Sequence, residues 1–385
     1  MNAADNKAMA EATRLTREGK LEEATALLLG AARNVAPANG PTEDASALQA
    51  GPATVRRAVN AGRGAPGAVR GALAGLVDRV VKAPLAREIR SRNPEGGRPS
   101  LVPGQGSFQQ HRFSNIAGSR TYKLYIPAGS HAEPLPMVVM LHGCTQAPDD
   151  FAAGTGMNAL ADELKFLVVY PAQDASANPQ RCWNWFSDND QQRDRGEPSL
   201  IAGITRQVMR EQSVDPRRVY VAGLSAGGAA AAIMGSAYPD LYAAIGVHSG
   251  LACGAASDMP SAFAAMRQGA AAGSGKRAAR PVATIVFHGD SDSTVSPING
   301  EQVIEQSKAS SRLQVQVSQG RSAGGVAYTR TVQLDDEGQA LLEHWLLHGG
   351  GHAWSGGSAA GSYTDPRGPD ASREMLRFFL QHRLA

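Results

Sequence analysis

Apolar runs alternate with amphipathic stretches along the chain from Phe108 onward. Continuous apolar runs, typical of parallel strands that are covered on both faces, occupy residues 136–142, 166–170, 218–222, 243–248, 282–288 and 341–347. Stretches with helical periodicity lie between them at 151–163, 200–212 and 228–238. This alternation predicts one doubly wound α/β domain over residues 107–385, with a mostly parallel sheet.

Antiparallel pairs are predicted at both margins of this sheet. Residues 112–126 indicate an edge hairpin with its turn at Ala117-Gly118-Ser119. Near the other end of the chain, residues 328–334 are expected to pair with 341–347 across the turn at 335–338. A helix over 370–382 is expected to close the domain.

The first 106 residues have a different pattern and form a low-complexity extension. Residues 5–33 predict two short helices that break at Gly19-Lys20, so a short helical hairpin is expected over 1–34. Residues 35–106 are rich in Ala, Gly, Pro and Arg, which is typical of a largely disordered linker. From Ala45 to Ser100, 10 Lys or Arg exceed 3 Asp or Glu, a local charge of +7. A solvated tether is favoured over a weak contact with an anionic surface.

Composition excludes several classes of protein. The 385 residues contain no apolar run long enough to span a membrane, and a net charge of +3 is too small to predict a nucleic-acid partner. Three cysteines and no metal-ligand spacing predict neither a disulfide scaffold nor a metal, and no cofactor is expected. The N-terminus lacks the features of a secretory signal, which points to a cytoplasmic protein.

One short motif predicts a nucleophile. Gly223-Leu224-Ser225-Ala226-Gly227 follows a strand-like run and opens a helix-like run. A serine hydroxyl needs such a sharp strand-to-helix turn to become accessible to a base, and the flanking glycines permit it. The alternative is a turn serine in an ordinary strand-helix connection. Residues further along the chain favour the nucleophile.

A carboxylate and a histidine follow in the order that acyl transfer at a serine requires. Asp292 lies in the loop after the strand 282–287, and it is preferred to Asp290 because it lies further into that loop. His352 lies in a glycine-rich loop after the last predicted strand. Ser, Asp, His is the chain order of α/β-hydrolases, so Ser225, Asp292 and His352 are predicted as the catalytic triad of a serine esterase.

Two backbone N–H groups are predicted to form the oxyanion hole. Ala226 begins the helix after the nucleophile, and Cys144 lies in the loop after the third strand. The nearby His142 is expected to be structural. A non-catalytic binding protein on a hydrolase fold and an acyltransferase with the same triad remain as alternatives.

Several blocks along the chain resemble the polyhydroxybutyrate depolymerase-type esterases. The blocks are 141–146, 150–158, 182–186, 223–228, 248–250 and 351–357. The resemblance covers about residues 108–385 and implies hydrolysis of short-chain polyhydroxyalkanoate esters, poly- or oligo-3-hydroxybutyrate, with the same triad. Feruloyl and acetylxylan esterases look similar over this core and are the alternative. The resemblance suggests an extracellular protein, so the compartment stays open.

Further features have two interpretations each. Family members that degrade solid polymer usually carry a polymer-binding module after the catalytic domain, and the chain ends soon after His352, so soluble esters or oligomers are the expected substrates. Trp183, Trp185 and Trp354 could line the substrate pocket or pack in the core. Cys144 and Cys182 could form a disulfide between the oxyanion loop and the Trp183–Trp185 loop, or remain reduced thiols.

Overall fold

The computed structural model describes residues 106–129, 133–271, 282–308 and 313–385. The predicted helical hairpin over 1–34 and the linker over 35–106, apart from Gly106, lie outside the described residues. Among the helices that are described, none has the length and apolar character needed to cross a membrane.

Ten strands within the described residues form one mixed sheet. In chain order they are β1 (Ser107–Asn115), β2 (Gly118–Ile126), β3 (Leu135–Leu141), β4 (Leu167–Pro171), β5 (Val214–Leu224), β6 (Ala244–His248), β7 (Ala283–Gly289), β8 (Gln314–Arg321), β9 (Ala327–Leu334) and β10 (Ala340–Leu347). Their order in the sheet is β1-β2-β4-β3-β5-β6-β7-β10-β9-β8. The six central strands are parallel to one another; in sheet order they are β4, β3, β5, β6, β7 and β10. The strand pairs at both margins are antiparallel. The predicted α/β-hydrolase sheet is confirmed.

Helices cover both faces of this sheet. They are α1 (Pro148–Thr155), α2 (Met157–Leu164), α3 (Gly196–Glu211), α4 (Ala226–Ala237), α5 (Met259–Gln268), α6 (Ile298–Ser307) and α7 (Ala371–Phe379). Helices α3 to α6 pack with one face, and α1, α2 and α7 pack with the other. Alternate residues of a strand therefore enter opposite cores: Val139 of β3 lies in the first core and Val138 in the second. Burial on both faces explains the continuous apolar runs that the sequence shows within the central strands.

Two local predictions differ from the structure, and one strand lies where the sequence pattern predicts none. The helix expected over 151–163 is two helices, because Gly156 adopts a left-handed φ of 65° and its N–H caps α1 on the carbonyl of Ala152. The edge turn is shorter than expected: Asn115 pairs with Gly118, which leaves Ile116 and Ala117 as a two-residue loop. Strand β8 was not predicted, since almost every residue in it is exposed and it has no apolar run.

The register of the parallel strands gathers the loops that follow them at one edge of the sheet. Leu224 at the end of β5 pairs with His248 at the end of β6, and His248 pairs with Phe287 of β7. Gly289 at the end of β7 pairs with Leu347 of β10. The loops after these strands therefore emerge side by side, as the carboxyl ends of parallel strands do at ligand sites of open α/β sheets.

Candidate active site

Ser225 lies on a tight elbow between β5 and α4. Its backbone has φ 57° and ψ −119°, a strained conformation for a residue other than glycine. A Cβ atom added at Gly223 would lie 2.3 Å from the carbonyl carbon of Gly227, and one added at Gly227 would lie 2.0 Å from the carbonyl oxygen of Leu141. The elbow therefore needs both glycines of the motif, because no side chain fits between the strand and the helix.

His352 and Asp292 form a hydrogen-bonded pair in the loops after β10 and β7. Nδ1 of His352 lies 2.7 Å from Oδ2 of Asp292, and Oδ1 of Asp292 accepts hydrogen bonds from the N–H groups of Thr294 and Val295, each at 2.9 Å. Burial alone would raise the pKa of Asp292, but the hydrogen bond and charge of His352 and the two N–H donors outweigh it and hold this pKa below its ordinary value. An ionised Asp292 that accepts from Nδ1–H leaves Nε2 of His352 available as a base.

The neighbouring carboxylate has a different partner. Oδ2 of Asp290 lies 2.9 Å from Nδ1 of His348, and its Oδ1 accepts from the N–H of Gly349 at 2.7 Å. The geometry thus separates the two carboxylates, and Asp292, which the sequence favours over Asp290, is the one that contacts His352.

The loop after β3 passes beside the serine. A Cβ atom added at Gly143 would lie 3.6 Å from Cβ of Ser225. The N–H of Gly143 already donates to Oε1 of Gln146 at 2.9 Å. In the described part of the chain, the N–H of Cys144 donates to no protein acceptor. Cys144 and the helix-starting Ala226 therefore stay the two candidate donors to an oxyanion.

His142 fixes the position of this loop through two hydrogen bonds. Its Nε2 accepts from the N–H of Gln173 at 3.0 Å, and its carbonyl oxygen accepts from Nε1 of Trp183 at 3.1 Å. Burial lowers the pKa of His142 to about 4, so its imidazole stays neutral at neutral pH. These contacts agree with the structural role expected for His142.

A disulfide joins Cys144 to Cys182, with 4.2 Å between their Cα atoms. The N–H of Thr145 donates to the carbonyl oxygen of Gln180 at 2.7 Å, so a backbone contact supports the same junction. The bridge ties the loop after β3, which carries the candidate oxyanion donor Cys144, to the segment that carries Trp185. Cys253 is buried and is not part of this bridge.

Removal of the bridge by the double substitution Cys144→Ala and Cys182→Ala is expected to lower the free energy of unfolding by about 2 to 4 kcal/mol, because a closed loop of 38 residues is then released in the unfolded chain. Urea unfolding measures this loss. Thiol titration of the denatured, unreduced protein should find one thiol, and in the control Cys253→Ala none. Three thiols in the unreduced wild-type protein would contradict the bridge.

An apolar pocket of about 430 Å³ opens at Ser225. Trp185 and Phe186 line it from the segment after the disulfide, and Val295 lines it from the loop that carries Asp292. Met259 and Phe263 of α5 stand at the same pocket with 46% and 52% of their surfaces exposed. The pocket therefore presents an apolar wall next to the hydroxyl of Ser225.

Of the three tryptophans predicted to bind substrate, the structure brings one to this pocket. Trp183 and Trp354 are 0% and 1% exposed and do not line it. Nε1 of Trp354 donates to Oγ of Ser372 at 3.0 Å, and the indole packs on Phe151. The substrate-wall interpretation is thus wrong for Trp183 and Trp354, which pack in the core, and Trp185 keeps it.

Sequence reasoning missed the contribution of α5 to the pocket wall. A local signal for this helix is present in the chain: Asp258 accepts from the N–H of Ser261 in a capping box, and Pro260 lies in the first turn. The described residues contain no cluster of His, Cys, Asp and Glu side chains able to hold a metal ion.

Comparisons with known proteins identify relatives of the same core. Residues 120–327 match the family described as esterase PHB depolymerase. The chain is 34% identical over 256 residues to poly(3-hydroxyalkanoate) depolymerase C of Paucimonas lemoignei, covering 63% of this chain and 61% of that protein. It is 30% identical over 282 residues to poly(3-hydroxybutyrate) depolymerase of Ralstonia pickettii, covering 66% of this chain and 56% of that protein. The chain thus spans about 60% of the length of these relatives.

Other relatives have names that refer to different esters. Feruloyl esterase B of Thermothelomyces thermophilus is 28% identical over 200 residues, covering 48% of this chain and 67% of that protein. Among solved structures, acetyl xylan esterase from Aspergillus awamori superposes with a TM-score of 0.53 at 19% identity, covering 71% of this chain and 99% of that chain. The latter likeness shows the shared fold.

Proposed function

This chain belongs to the esterase PHB depolymerase family, and from this premise we propose that it hydrolyses short-chain polyhydroxyalkanoate esters, oligo- or poly-3-hydroxybutyrate, through an acyl-enzyme on Ser225. Membership in a family of carboxylic ester hydrolases supports the reaction class. The catalytic domain proposed for this reaction is residues 107–385.

The hydrogen bond between His352 and Asp292 is the observation that carries the mechanism. Asp292 orients the imidazole and stabilises its cation, so Nε2 of His352 removes the proton of Ser225 as the hydroxyl attacks the ester carbonyl. The N–H groups of Cys144 and Ala226 bind the oxyanion. The alcohol then leaves with the proton from His352, and a water activated by His352 releases the acid and restores Ser225.

The pocket favours an aliphatic polyester over an acetylated sugar. Its lining beside Ser225 is dominated by apolar side chains, including Trp185, Phe186 and Leu251. A 3-hydroxybutyrate unit presents a methyl group and a short carbon chain, which gain free energy when such side chains cover them. An acetylated polysaccharide presents hydroxyl groups that would lose water hydrogen bonds against this wall.

A substrate panel tests the proposal. We expect kcat/KM for a 3-hydroxybutyrate trimer to exceed the values for methyl ferulate and acetylated xylan by at least about tenfold, since one or two buried methyl groups are worth that factor. In Phe263→Ser, the value for the trimer should fall about three- to tenfold, because Phe263 lines the pocket and its apolar surface is lost. The value for p-nitrophenyl acetate should stay within about twofold, because an acetyl group has little apolar surface to cover.

Ile116→Ser is the matched control, because Ile116 is exposed in the β1–β2 turn outside the pocket lining and its loss should change neither substrate. Preference for methyl ferulate or acetylated xylan would replace the polyester proposal by one of the other family activities. Failure of a serine-reactive phosphonate to label Ser225, with no ester in the panel hydrolysed, would indicate a non-catalytic binding protein.

A further inference from the structure

His248 contacts the backbone of the nucleophile elbow. It is the last residue of β6, its side chain is fully buried, and its carbonyl oxygen accepts from the N–H of Ser225 at 2.9 Å. The helix after the elbow packs closely on the same point, since a Cβ atom added at Gly228 would lie 3.0 Å from this carbonyl oxygen. The main chain of His248 and the elbow therefore form one rigid junction.

The imidazole of His248 contacts a second catalytic loop. Its Nε2 accepts from the N–H of Ser355 at 3.0 Å, and its Nδ1 lies 3.1 Å from Oγ of Ser249, to which it can donate. A backbone N–H can only donate, so Nε2 carries the lone pair and the ring is neutral. Burial, together with the charges that His288 and His352 can carry, lowers the pKa of His248 to about 3, which keeps this acceptor in place at neutral pH.

Aromatic rings hold the imidazole in this orientation. The ring of Trp354 stacks on it with centroids 5.2 Å apart, and the ring of Phe287 stacks on it at 5.8 Å. Trp354 and Ser355 form the short strand β11 (Trp354–Ser355), which pairs with β12 (Thr364–Asp365). Ser355 lies three residues after His352. Its hydrogen bond to His248 therefore anchors the loop that carries the base at a point close to His352.

We propose that His248 is a positioning residue that sets the distance between the Ser225 elbow and the loop of His352. The inference rests on the proposed function, because it assumes that Ser225 and His352 react together. His248 contacts Ser225 through its main-chain carbonyl oxygen, and it contacts the loop of His352 through its imidazole. A displacement of about 1 Å between two reacting groups lowers a rate by about 100-fold, so a contact of this kind acts on kcat and not on substrate binding.

The test compares three substitutions of His248 with p-nitrophenyl butyrate as the substrate. His248→Leu removes the acceptor and is expected to lower kcat by about 100-fold, with KM within about threefold of wild type. His248→Asn is too short to reach the N–H of Ser355 and is expected to be equally impaired. His248→Gln places Oε1 near the position of the imidazole Nε2, and it should restore kcat to within about tenfold of wild type. Amide exchange at Ser355 should accelerate in the Leu and Asn variants and slow again in Gln.

His382→Leu is the control for the loss of a buried histidine. His382 is also buried, but it lies near the end of the chain and its ring contacts Gln339. Its kcat should stay within about threefold of wild type. If His248→Leu does not fold, the Asn and Gln pair decides the matter. Equal kcat in Asn, Gln and wild type, or a Gln variant as impaired as Asn, would overturn the positioning role. Activity retained in Ser225→Ala would instead overturn the proposed function, and this result can be told apart from both.

Discussion

Replacement of Ser225 by alanine is expected to lower kcat for p-nitrophenyl butyrate by about 10⁴- to 10⁶-fold. Loss of the nucleophilic hydroxyl removes the acyl-enzyme route, and the oxyanion donors and the pocket retain only a residual acceleration over water. The fold should survive, because alanine keeps the Cβ atom that already fits the elbow and Ser225 donates its N–H, not its side chain, to His248. Steady-state kinetics measure the loss, and the urea midpoint checks the fold.

A matched control uses another serine at the same edge of the sheet. Ser291 is exposed in the loop of Asp292, and its hydroxyl contacts only the side chain of Asp290 among the hydrogen bonds described. Ser291→Ala should keep kcat within about threefold of wild type. A Ser225→Ala enzyme with a tenth of the wild-type activity would remove Ser225 from the mechanism.

Asp292→Asn is expected to lower kcat by about 10⁴-fold. Its Oδ1 can still accept from Thr294 and Val295, so the loop should keep its shape. The amide that then faces His352 donates a hydrogen bond instead of accepting one, which favours the tautomer with the proton on Nε2 and leaves no base for Ser225. Stabilisation of the imidazolium cation is lost as well.

Asp290→Asn distinguishes this effect from a general disturbance of the loop. Asp290 contacts His348 and Gly349 in the same region, and it makes no contact with His352 among the described hydrogen bonds. We expect kcat within about threefold of wild type for Asp290→Asn. The reverse result, a severe loss at Asp290 and a mild one at Asp292, would transfer the orienting role to Asp290.

Much of the fold could be predicted because burial on both faces of a sheet leaves a strong trace in the sequence. Strands β3, β4, β6, β7 and the second half of β5 are made mostly of buried apolar residues, and these runs predict the bounds of the strands to within a few residues. Strand β8 escaped prediction because it is exposed along its length and pairs only at the margin of the sheet. Helix α5 begins with a capping box that indicates a helix, but a cap by itself does not reveal that Met259 and Phe263 border a pocket.

The candidate site also combines features that the sequence predicts with features that only the structure shows. A serine between two glycines, an aspartate after one strand and a histidine after another are features of local sequence, so their chemistry and chain order could be inferred from residue types alone. Contacts between loops far apart in the chain pair Asp292 with His352 and place Trp185, but not Trp183 or Trp354, in the lining of the pocket beside Ser225. Trp354 lies two residues after His352 in the sequence, and only the packing shows that its ring stacks on His248.

The amino-acid sequence by itself determined the α/β-hydrolase architecture, the strand-to-helix elbow at Ser225 and the order of the triad candidates, because each depends on periodicity or on steric limits within a few residues. The tertiary structure decided the pairing of Asp292 with His352, the bridge between Cys144 and Cys182, and the junction at His248. These are contacts between segments 38 to 107 residues apart, and the register of the sheet, which brings strand ends together, sets them.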